Sequence, residues 1–237
     1  MKKGEKIKSF FKPPHPKGMK FLGRWVAIEP LDSTRHSSLL YKAYSGLKGS
    51  DNWIYLPYGP FASEHSYRAW IESVEGQDDP CFFAIRRLSD KKPLGVASYL
   101  RIKPDIGTIE VGHINFSPLL QKTTEATEAM YLMMEWAFES GYRRYEWKCD
   151  SLNLASRRAA QRLGLSYEGV FRQATINKGR NRDTAWFAAI DKEWPAIKTS
   201  FKSYLSEDNF NESHTPKTSL TELNEPNLFK RDNLEFS

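Results

Sequence analysis

The sequence predicts a mixed α/β fold in which a mostly antiparallel, twisted sheet has helices on both faces. Three observations predict it. Strand and helix patterns alternate along the chain. Three strand patterns follow one another between residues 81 and 116 with short turns between them, which is typical of an antiparallel meander. A strand, a polar loop and the longest helical pattern then form one unit over residues 107–140.

The helices are predicted from their caps and their apolar period. Asp32 or Ser33 can cap the first helix and Ser63 the second. In the longest helix apolar residues recur at three- and four-residue steps, while Gly141 and Gly164 end the last two helices. The predicted helices cover residues 32–45, 63–76, 122–140 and 153–163.

The strands are predicted from short apolar runs between turn residues. A polar loop at residues 177–183 separates the last two and makes them a hairpin. The predicted strands cover residues 25–28, 81–87, 93–102, 107–116, 144–149, 166–172 and 184–190.

The length of 237 residues suits one domain with tails. Residues 1–20 hold seven lysines against the single acid Glu5, which accounts for the whole net charge of +6. The neutral remainder gives no reason to expect nucleic-acid binding. Residues 1–19 are predicted to be a basic flexible arm, which is either a soluble tail or a contact for an anionic partner such as RNA or a membrane surface. Residues 20–205 are the predicted domain, and residues 206–237 a polar, disordered tail.

The two cysteines, Cys81 and Cys149, have no spacing that suggests a metal site or a disulfide framework. A reducing cytoplasm fits them best. No window is long and apolar enough to span a bilayer. We therefore expect a cytoplasmic protein without a metal or a membrane partner, in which an exposed edge strand leaves a homodimer possible.

The junction NFSPLLQKTTEA, residues 115–126, predicts an anion site. The strand ends at Phe116, and Pro118 prevents further ladder donation. A helix then begins with a polar turn, and a helix N-terminus offers unpaired N–H groups and a positive dipole end. Such a site suits a pyrophosphate, although many helices begin in this way.

The whole pattern is more specific than this junction. The element order and the segment D-S-L-N-x-x-S-x-R-x-A-x-x-L-G-L at residues 150–165 resemble the GNAT superfamily of acetyl-CoA-dependent N-acetyltransferases, and within it the RimJ/RimL type that acetylates ribosomal-protein N-termini. The resemblance covers about residues 19–195. The family's loop before the long helix carries Q/R-x-x-G-x-G/A, whereas this chain has Q-K-T-T-E-A, with Thr124 at the central glycine.

The resemblance implies the following binding residues for acetyl-CoA. Asn153 contacts the pantetheine arm, and its position also suits a helix N-cap. Ser156 either protonates the departing thiolate or packs against the sheet. Arg157 and Arg158 are expected to be solvated, though either could meet the 3′-phosphate. The pyrophosphate loop comprises Gln121, Lys122, Thr123, Thr124, Glu125 and Ala126. The backbone N–H groups that would polarise the thioester carbonyl are those of Ile114, Asn115 and Phe116.

Two residues are candidates for the general base that the attack of an amine on a thioester requires. Glu110 lies in an otherwise apolar strand, where a carboxylate is costly unless it is used or paired, and where burial would raise its pKa. His113, three residues on, would lie on the opposite face unless a bulge at Gly112 brings it round.

The acceptor pocket is predicted between the first two helices. The aromatic loop at residues 51–61 could grip an amine substrate by stacking, or could seal the core. The loop at 177–183, with three cations, could attract an acidic acceptor or be a solvated hairpin tip. The candidate substrate residues are Trp53, Tyr55, Tyr58 and Phe61.

Acetyl transfer from acetyl-CoA to a primary amine, of a protein N-terminus or a small molecule, is the function that this pattern predicts. Direct attack in a ternary complex is the expected mechanism. The alternative is a catalytically degenerate module that binds CoA, RNA or a protein, which the replacement at Thr124 would favour.

Overall fold

A computed structural model describes residues 3–7, 9–45, 50–213 and 215–234. Its centre is one eight-stranded sheet with the order β1-β2-β3-β4-β5-β6-β8-β7. Every neighbouring pair in this sheet is antiparallel except β5 and β6, which are parallel. The strands are β1 (Phe21–Leu22), β2 (Val26–Pro30), β3 (Cys81–Arg87), β4 (Pro93–Lys103), β5 (Thr108–Phe116), β6 (Arg144–Asp150), β7 (Ser166–Asn177) and β8 (Arg180–Ile190).

Helices cover both faces of the sheet, so the predicted fold class is confirmed. On one face, α1 and α2 pack over β3 and β4 around Leu40, Ile71 and Phe82. On the other face, α3 and α5 pack around Met133, Phe187 and related core residues. The helices are α1 (Ser33–Tyr44), α2 (Glu64–Val74), α3 (Thr124–Glu139), α4 (Leu154–Arg162), α5 (Trp194–Leu205) and α6 (Leu220–Asn224).

Side-chain caps begin the helices where the sequence predicts them. The Asp32 carboxylate accepts hydrogen bonds from the N–H groups of Thr34 and Arg35 at 2.9 and 2.8 Å. Ser63 begins α2 with a reciprocal capping box. Because these caps satisfy N–H groups that the helix cannot, they fix the first residue of each helix.

Helix α5 was not predicted. Pro195 stands in its first turn, where a proline is tolerated because the N–H there has no partner in the helix. Its buried residues Ile197, Phe201 and Tyr204 follow the helical period. The pattern was therefore present in the sequence, over a segment treated as the end of the domain.

Residues 206–234 have more structure than their polar composition indicates. Leu220, in α6, is fully buried. Near the end of the chain, Asp232 accepts two hydrogen bonds from Arg157 of α4, at 2.7 and 2.6 Å. Both side chains are only 2% exposed, so the expectation that Arg157 is solvated is wrong. This segment packs on the body through the ion pair of Asp232 with Arg157 and through the burial of Leu220.

The basic arm also contacts the body along residues 9–19. Pro13 and Pro16 are buried. Pro14 accepts a hydrogen bond from the Tyr142 hydroxyl at 3.0 Å, and Lys17 forms an ion pair with Asp78 at 2.6 Å. Part of the arm's positive charge is therefore paired within the chain.

Candidate active site

A cleft opens where β5 and β6 separate. The two strands pair only from Thr108 with Arg144 to Val111 with Trp147. Beyond that point β5 continues to Phe116 and remains paired with β4, while β6 continues to Asp150 beside β8. The edge of β5 that faces β6 thus has no strand partner beyond Val111 among the described residues. Of the three expected backbone residues, Ile114 and Phe116 line the cleft, whereas Asn115 does not, and its carbonyl accepts from the Tyr44 hydroxyl at 2.7 Å. The cleft has a volume of about 1550 Å³.

The first turn of α3 forms one wall of the cleft. Within the described residues, the backbone N–H groups of Lys122, Thr124 and Glu125 have no acceptor. The Thr123 side chain caps the helix by accepting from the N–H of Ala126 at 3.1 Å. Free N–H groups and the positive end of the helix dipole make this turn suitable for a phosphate group.

Two loop residues are placed differently from what the motif suggests. The Gln121 amide donates to Asn52 at 2.8 Å and to the Phe116 carbonyl at 2.9 Å, so it fastens the loop. Thr124 stands at the family's glycine position but does not line the cleft, whereas Lys122, Thr123 and Ala126 do. The side chain at Thr124 is therefore not among those that bound the cleft.

Helix α4 forms the opposite wall. Asn153 caps it by accepting from the N–H of Ser156 at 3.1 Å, and both residues line the cleft. The Ser156 hydroxyl accepts from the Trp147 indole at 3.0 Å, which leaves its proton to be donated, either to the neighbouring Cys149 sulfur or to a ligand. Arg158 is exposed and also lines the cleft. Arg162, which sequence reasoning missed, lines it too.

Two cysteines could in principle accept an acyl group, but both are buried. Burial raises the pKa of the Cys149 thiol, which lines the cleft, to about 11. Burial likewise raises the pKa of Cys81 to about 11. At neutral pH both remain thiols and are poor nucleophiles, because the thiolate is the reactive form.

Glu110 lies in the same cleft, on the sheet face toward α1 and α2, and is 2% exposed. Arg101 of β4 donates to its two oxygens at 2.6 and 2.9 Å, and Lys148 of β6 contacts it at 2.8 Å. The expected buried carboxylate is therefore present and paired. Three donors occupy three of the about four lone-pair directions of the carboxylate, so Oε1 can still accept a hydrogen bond from an amine or a water.

His113 also faces the α1–α2 side. Its φ of +50° and the shift of register between Val96 and Ser98 mark a bulge in β5. The ring stacks on Tyr58 at 5.6 Å, and its buried Nδ1 has no partner among the described residues. Burial, and then the charges of Arg101 and Arg182, lower the pKa of His113 to about 4. The imidazole is therefore neutral near pH 7.

The free energy of unfolding should fall as the pH falls from about 6.5 to about 4, partly because of His113. Between these pH values His113 is protonated in the unfolded chain but stays neutral in the folded protein. Acid therefore favours the unfolded state, and the free energy of unfolding falls. Urea unfolding at several pH values should show a weaker acid loss in His113→Gln than in the wild type. The exposed His65→Gln is the control, and equal slopes in the wild type and His113→Gln would contradict the prediction.

The aromatic loop divides between core and cleft. Trp53, Tyr58 and Phe61 pack with one another and with Tyr67 of α2. Of the four candidate substrate residues, Tyr55 lines the cleft, and its hydroxyl donates to the Leu152 carbonyl at 3.2 Å. Three of these four aromatic rings therefore cover the core, and the ring of Tyr55 lines the cleft.

The β7–β8 hairpin closes the cleft from the far side. The Lys178 ammonium, at its tip, donates to the carbonyls of Trp53 and Gly59 at 2.7 and 2.8 Å. The hairpin and the aromatic loop thus meet across the opening. Arg182, one of the three cations of the predicted loop, and Trp186, which the sequence did not single out, line the cleft beneath this contact.

A family model described as an acetyltransferase (GNAT) domain matches residues 41–166, more than half of the chain. The chain belongs to the GNAT acetyltransferase family. It is accordingly an acyltransferase, and enzymes of this family use acetyl-CoA as co-substrate.

Known proteins agree with this assignment. A crystal structure of a GCN5-related N-acetyltransferase from Brucella melitensis is 39% identical, with a TM-score of 0.90 over 92% of this chain and 100% of that one. The uncharacterized N-acetyltransferase YnaD of Bacillus subtilis is 26% identical over 64% of this chain and 87% of its own length. The microcin C7 self-immunity acetyltransferase MccE, in complex with acetyl-CoA and AMP, is 20% identical with a TM-score of 0.62 over 71% of this chain and 93% of that one, a likeness of fold alone.

None of these three names specifies the RimJ/RimL type, so that type stays a prediction. Among the described residues, no helix has the length and apolar character needed to cross a membrane. The homodimer and the role of the basic arm also stay predictions.

Proposed function

We propose that this enzyme transfers an acetyl group from acetyl-CoA to a primary amine, of a protein N-terminus or a small molecule, by direct attack in a ternary complex. The observation that carries the proposal is the separation of β5 from β6 between two chemically different walls. One wall has the free N–H groups of α3, and the other side of the sheet has a buried carboxylate. A donor and an acceptor can therefore reach the gap from opposite faces.

The donor side is assigned to the first turn of α3 and to α4. The free N–H group of Lys122, which lines the cleft, suits the pyrophosphate, and the free N–H groups of Thr124 and Glu125 follow it in the same turn. Asn153 and Ser156 lie where the pantetheine arm would pass between the strands, and Arg158 and Arg162 suit a phosphate at the outer end. The RimJ/RimL type and a cytoplasmic location are retained as parts of this proposal.

Each proton and electron pair in the transfer has a proposed place. The amine nitrogen attacks the thioester carbonyl carbon, and the C–S bond breaks. Backbone N–H groups at the unpaired end of β5, near Ile114, stabilise the charge that develops on the carbonyl oxygen. Glu110 takes the amine proton, directly or through water, and later releases it to solvent. The Ser156 hydroxyl protonates the leaving thiolate and regains a proton from solvent. Neutral His113 is the second candidate for the proton acceptor.

Direct attack is preferred to an acyl-enzyme because of the cysteines. Cys149, the thiol in the cleft, is protonated at neutral pH. An amine that is deprotonated by a neighbouring base can instead react with the thioester in one transfer.

Ala126→Tyr tests the donor site. Ala126 is 8% exposed and lines the cleft, so a tyrosine there should obstruct the bound pyrophosphate. Isothermal titration should show acetyl-CoA binding to the wild type and a Kd raised by about tenfold or more in the variant, a loss of at least about 1.4 kcal/mol.

Leu119→Tyr is the control, because this exposed residue precedes the same helix but does not line the cleft. It should bind acetyl-CoA as the wild type does. Absence of binding to the wild type at high micromolar concentrations would contradict the proposed function, and equal binding by Ala126→Tyr would move the donor elsewhere.

A further inference from the structure

One surface of the cleft carries several cations, of which, in the described part of the chain, some are paired with carboxylates and one is not. Lys148 and Trp186 are directly paired across β6 and β8, and strand alternation places Thr184 and Arg182 on the same side. Glu110 faces this side too, since Lys148 contacts it. We call this surface, made of Glu110, Lys148, Arg182, Thr184 and Trp186, the acceptor face.

Carboxylates already balance two of the cations near the acceptor face. Arg101 and Lys148 both contact Glu110, and Lys148 also contacts Glu146 at 2.8 Å. The Lys148 ammonium further lies 3.7 Å from the centre of the Trp186 ring. These contacts fix the two cations in place and use their charge within the protein.

Arg182 differs from them. Within the described ranges, no carboxylate or carbonyl accepts a hydrogen bond from its guanidinium, and its Nε is buried without an acceptor. The indole Nε1 of Trp186, two residues on along β8, is likewise buried without an acceptor. Burying an N–H group without an acceptor costs free energy. An acceptor atom of a bound ligand would therefore be favourable at both N–H groups.

The charge of Arg182 acts at the centre of the cleft. Burial lowers the pKa of His113 first, and the charges of Arg101 and Arg182 lower it further. Arg182 also favours the thiolate of Cys149, although burial outweighs that effect and raises the pKa of the thiol. The guanidinium therefore lies near both the β5 bulge and the end of β6.

We propose that Arg182 and Trp186 bind an anionic oxygen group of the acceptor, so that the amine substrate is an acidic molecule. This inference rests on the proposed function and narrows its acceptor. A guanidinium presents paired N–H donors that match a carboxylate or a phosphate, and the indole N–H adds a third donor. Glu110, the proposed base on the same face, can accept a hydrogen bond from the amine end, so the acceptor face has a polar group for each end of one molecule.

The test uses matched acceptors that differ in their anionic group. Glycylglycine is compared with glycylglycinamide, and phosphoethanolamine with ethanolamine, in the acetyl-CoA-dependent reaction. Arg182→Gln should lower kcat/KM for the acidic members by about 10–100-fold, as expected for a hydrogen-bonded charge. It should leave the neutral members within about twofold, and leave the Kd of acetyl-CoA unchanged. Each fold-change compares kcat/KM for the same acceptor between the wild type and the variant. Differences in basicity between the amines therefore do not affect it.

Two further variants sharpen the result. Trp186→Phe keeps the ring but removes the N–H, and should lower kcat/KM for the acidic members by about 3–10-fold. Arg180→Gln, at an exposed position of the same hairpin that does not line the cleft, should behave as the wild type. Glycylglycine carries a carboxylate and phosphoethanolamine a phosphate. The one whose kcat/KM falls more in Arg182→Gln identifies the anionic group that Arg182 binds.

Distinct outcomes would overturn this inference and the proposed function. If the wild type acetylates neutral members as well as acidic ones, or if Arg182→Gln lowers both equally, the acidic acceptor is excluded and amine acetylation stands. If Arg182→Gln weakens acetyl-CoA binding, Arg182 belongs to the donor site. If no amine of either kind is acetylated, the proposed function fails and the inference fails with it.

Discussion

Asp232→Ala should lower the free energy of unfolding by about 3 kcal/mol, because it removes one side of a buried, hydrogen-bonded ion pair. Arg157 and Asp232 are each 2% exposed and share two hydrogen bonds of 2.7 and 2.6 Å. The Arg157 guanidinium also donates to the Ser151 carbonyl at 2.8 Å, which limits but does not remove the loss. Urea denaturation at neutral pH measures it.

The matched control is Glu225→Ala. Its carboxylate contacts Arg231 in the same C-terminal segment, but the two side chains are 49% and 58% exposed. An exposed pair contributes at most about 1 kcal/mol, so this variant should be near the wild type. A loss of less than about 1 kcal/mol in Asp232→Ala would mean that residues 206–234 do not pack on α4 in solution.

Glu110→Gln should lower kcat by about 10²–10⁴-fold while the Kd of acetyl-CoA changes by less than about twofold, if Glu110 is the base. The substitution should leave the protein folded. Lys148 keeps its contact with Glu146, and the side chain of Arg101 is 52% exposed and can be solvated. Steady-state kinetics with a saturating amine, together with titration of acetyl-CoA, separate the two effects.

Glu146→Gln is the control for charge alone. Glu146 contacts Lys148 and Arg144 but does not line the cleft, so its loss changes the local charge without touching the reacting groups. This variant should keep most of its turnover. Full turnover in Glu110→Gln would remove Glu110 as the base, and a large loss in His113→Gln would then transfer the role to the neutral imidazole.

Local signals predicted much of the fold. Side-chain caps at Asp32 and Ser63, and the apolar period of α3, are written in neighbouring residues, and the structure places these helices where they indicate. The hairpin was predicted too short. In the structure β7 extends to Asn177 and β8 begins at Arg180, and the added residues near the turn are mostly polar and exposed. Apolar pattern cannot report such an extension.

Long-range contacts set what the sequence could not reveal. Arg157 and Asp232 are 75 positions apart, and Lys178 meets the carbonyl of Trp53 from 125 positions away. Glu110 was identified as a costly carboxylate in an apolar strand, but its cations come from the two flanking strands and depend on the register. The pairing of β8 with β6 and β7 also places Arg182 in the lining of the cleft. The sequence showed only that its loop holds three cations.

Acetyl transfer itself is the most direct test of the account. Wild-type protein, acetyl-CoA and a panel of amines and peptides, acidic members included, are incubated and followed by mass spectrometry. We expect one acetyl group on the amine, an equal amount of free CoA thiol, and no acetylated enzyme before the amine is added. Tight binding of acetyl-CoA with no acetylated amine, or an acetylated cysteine on the protein, would contradict direct transfer in the cleft between β5 and β6.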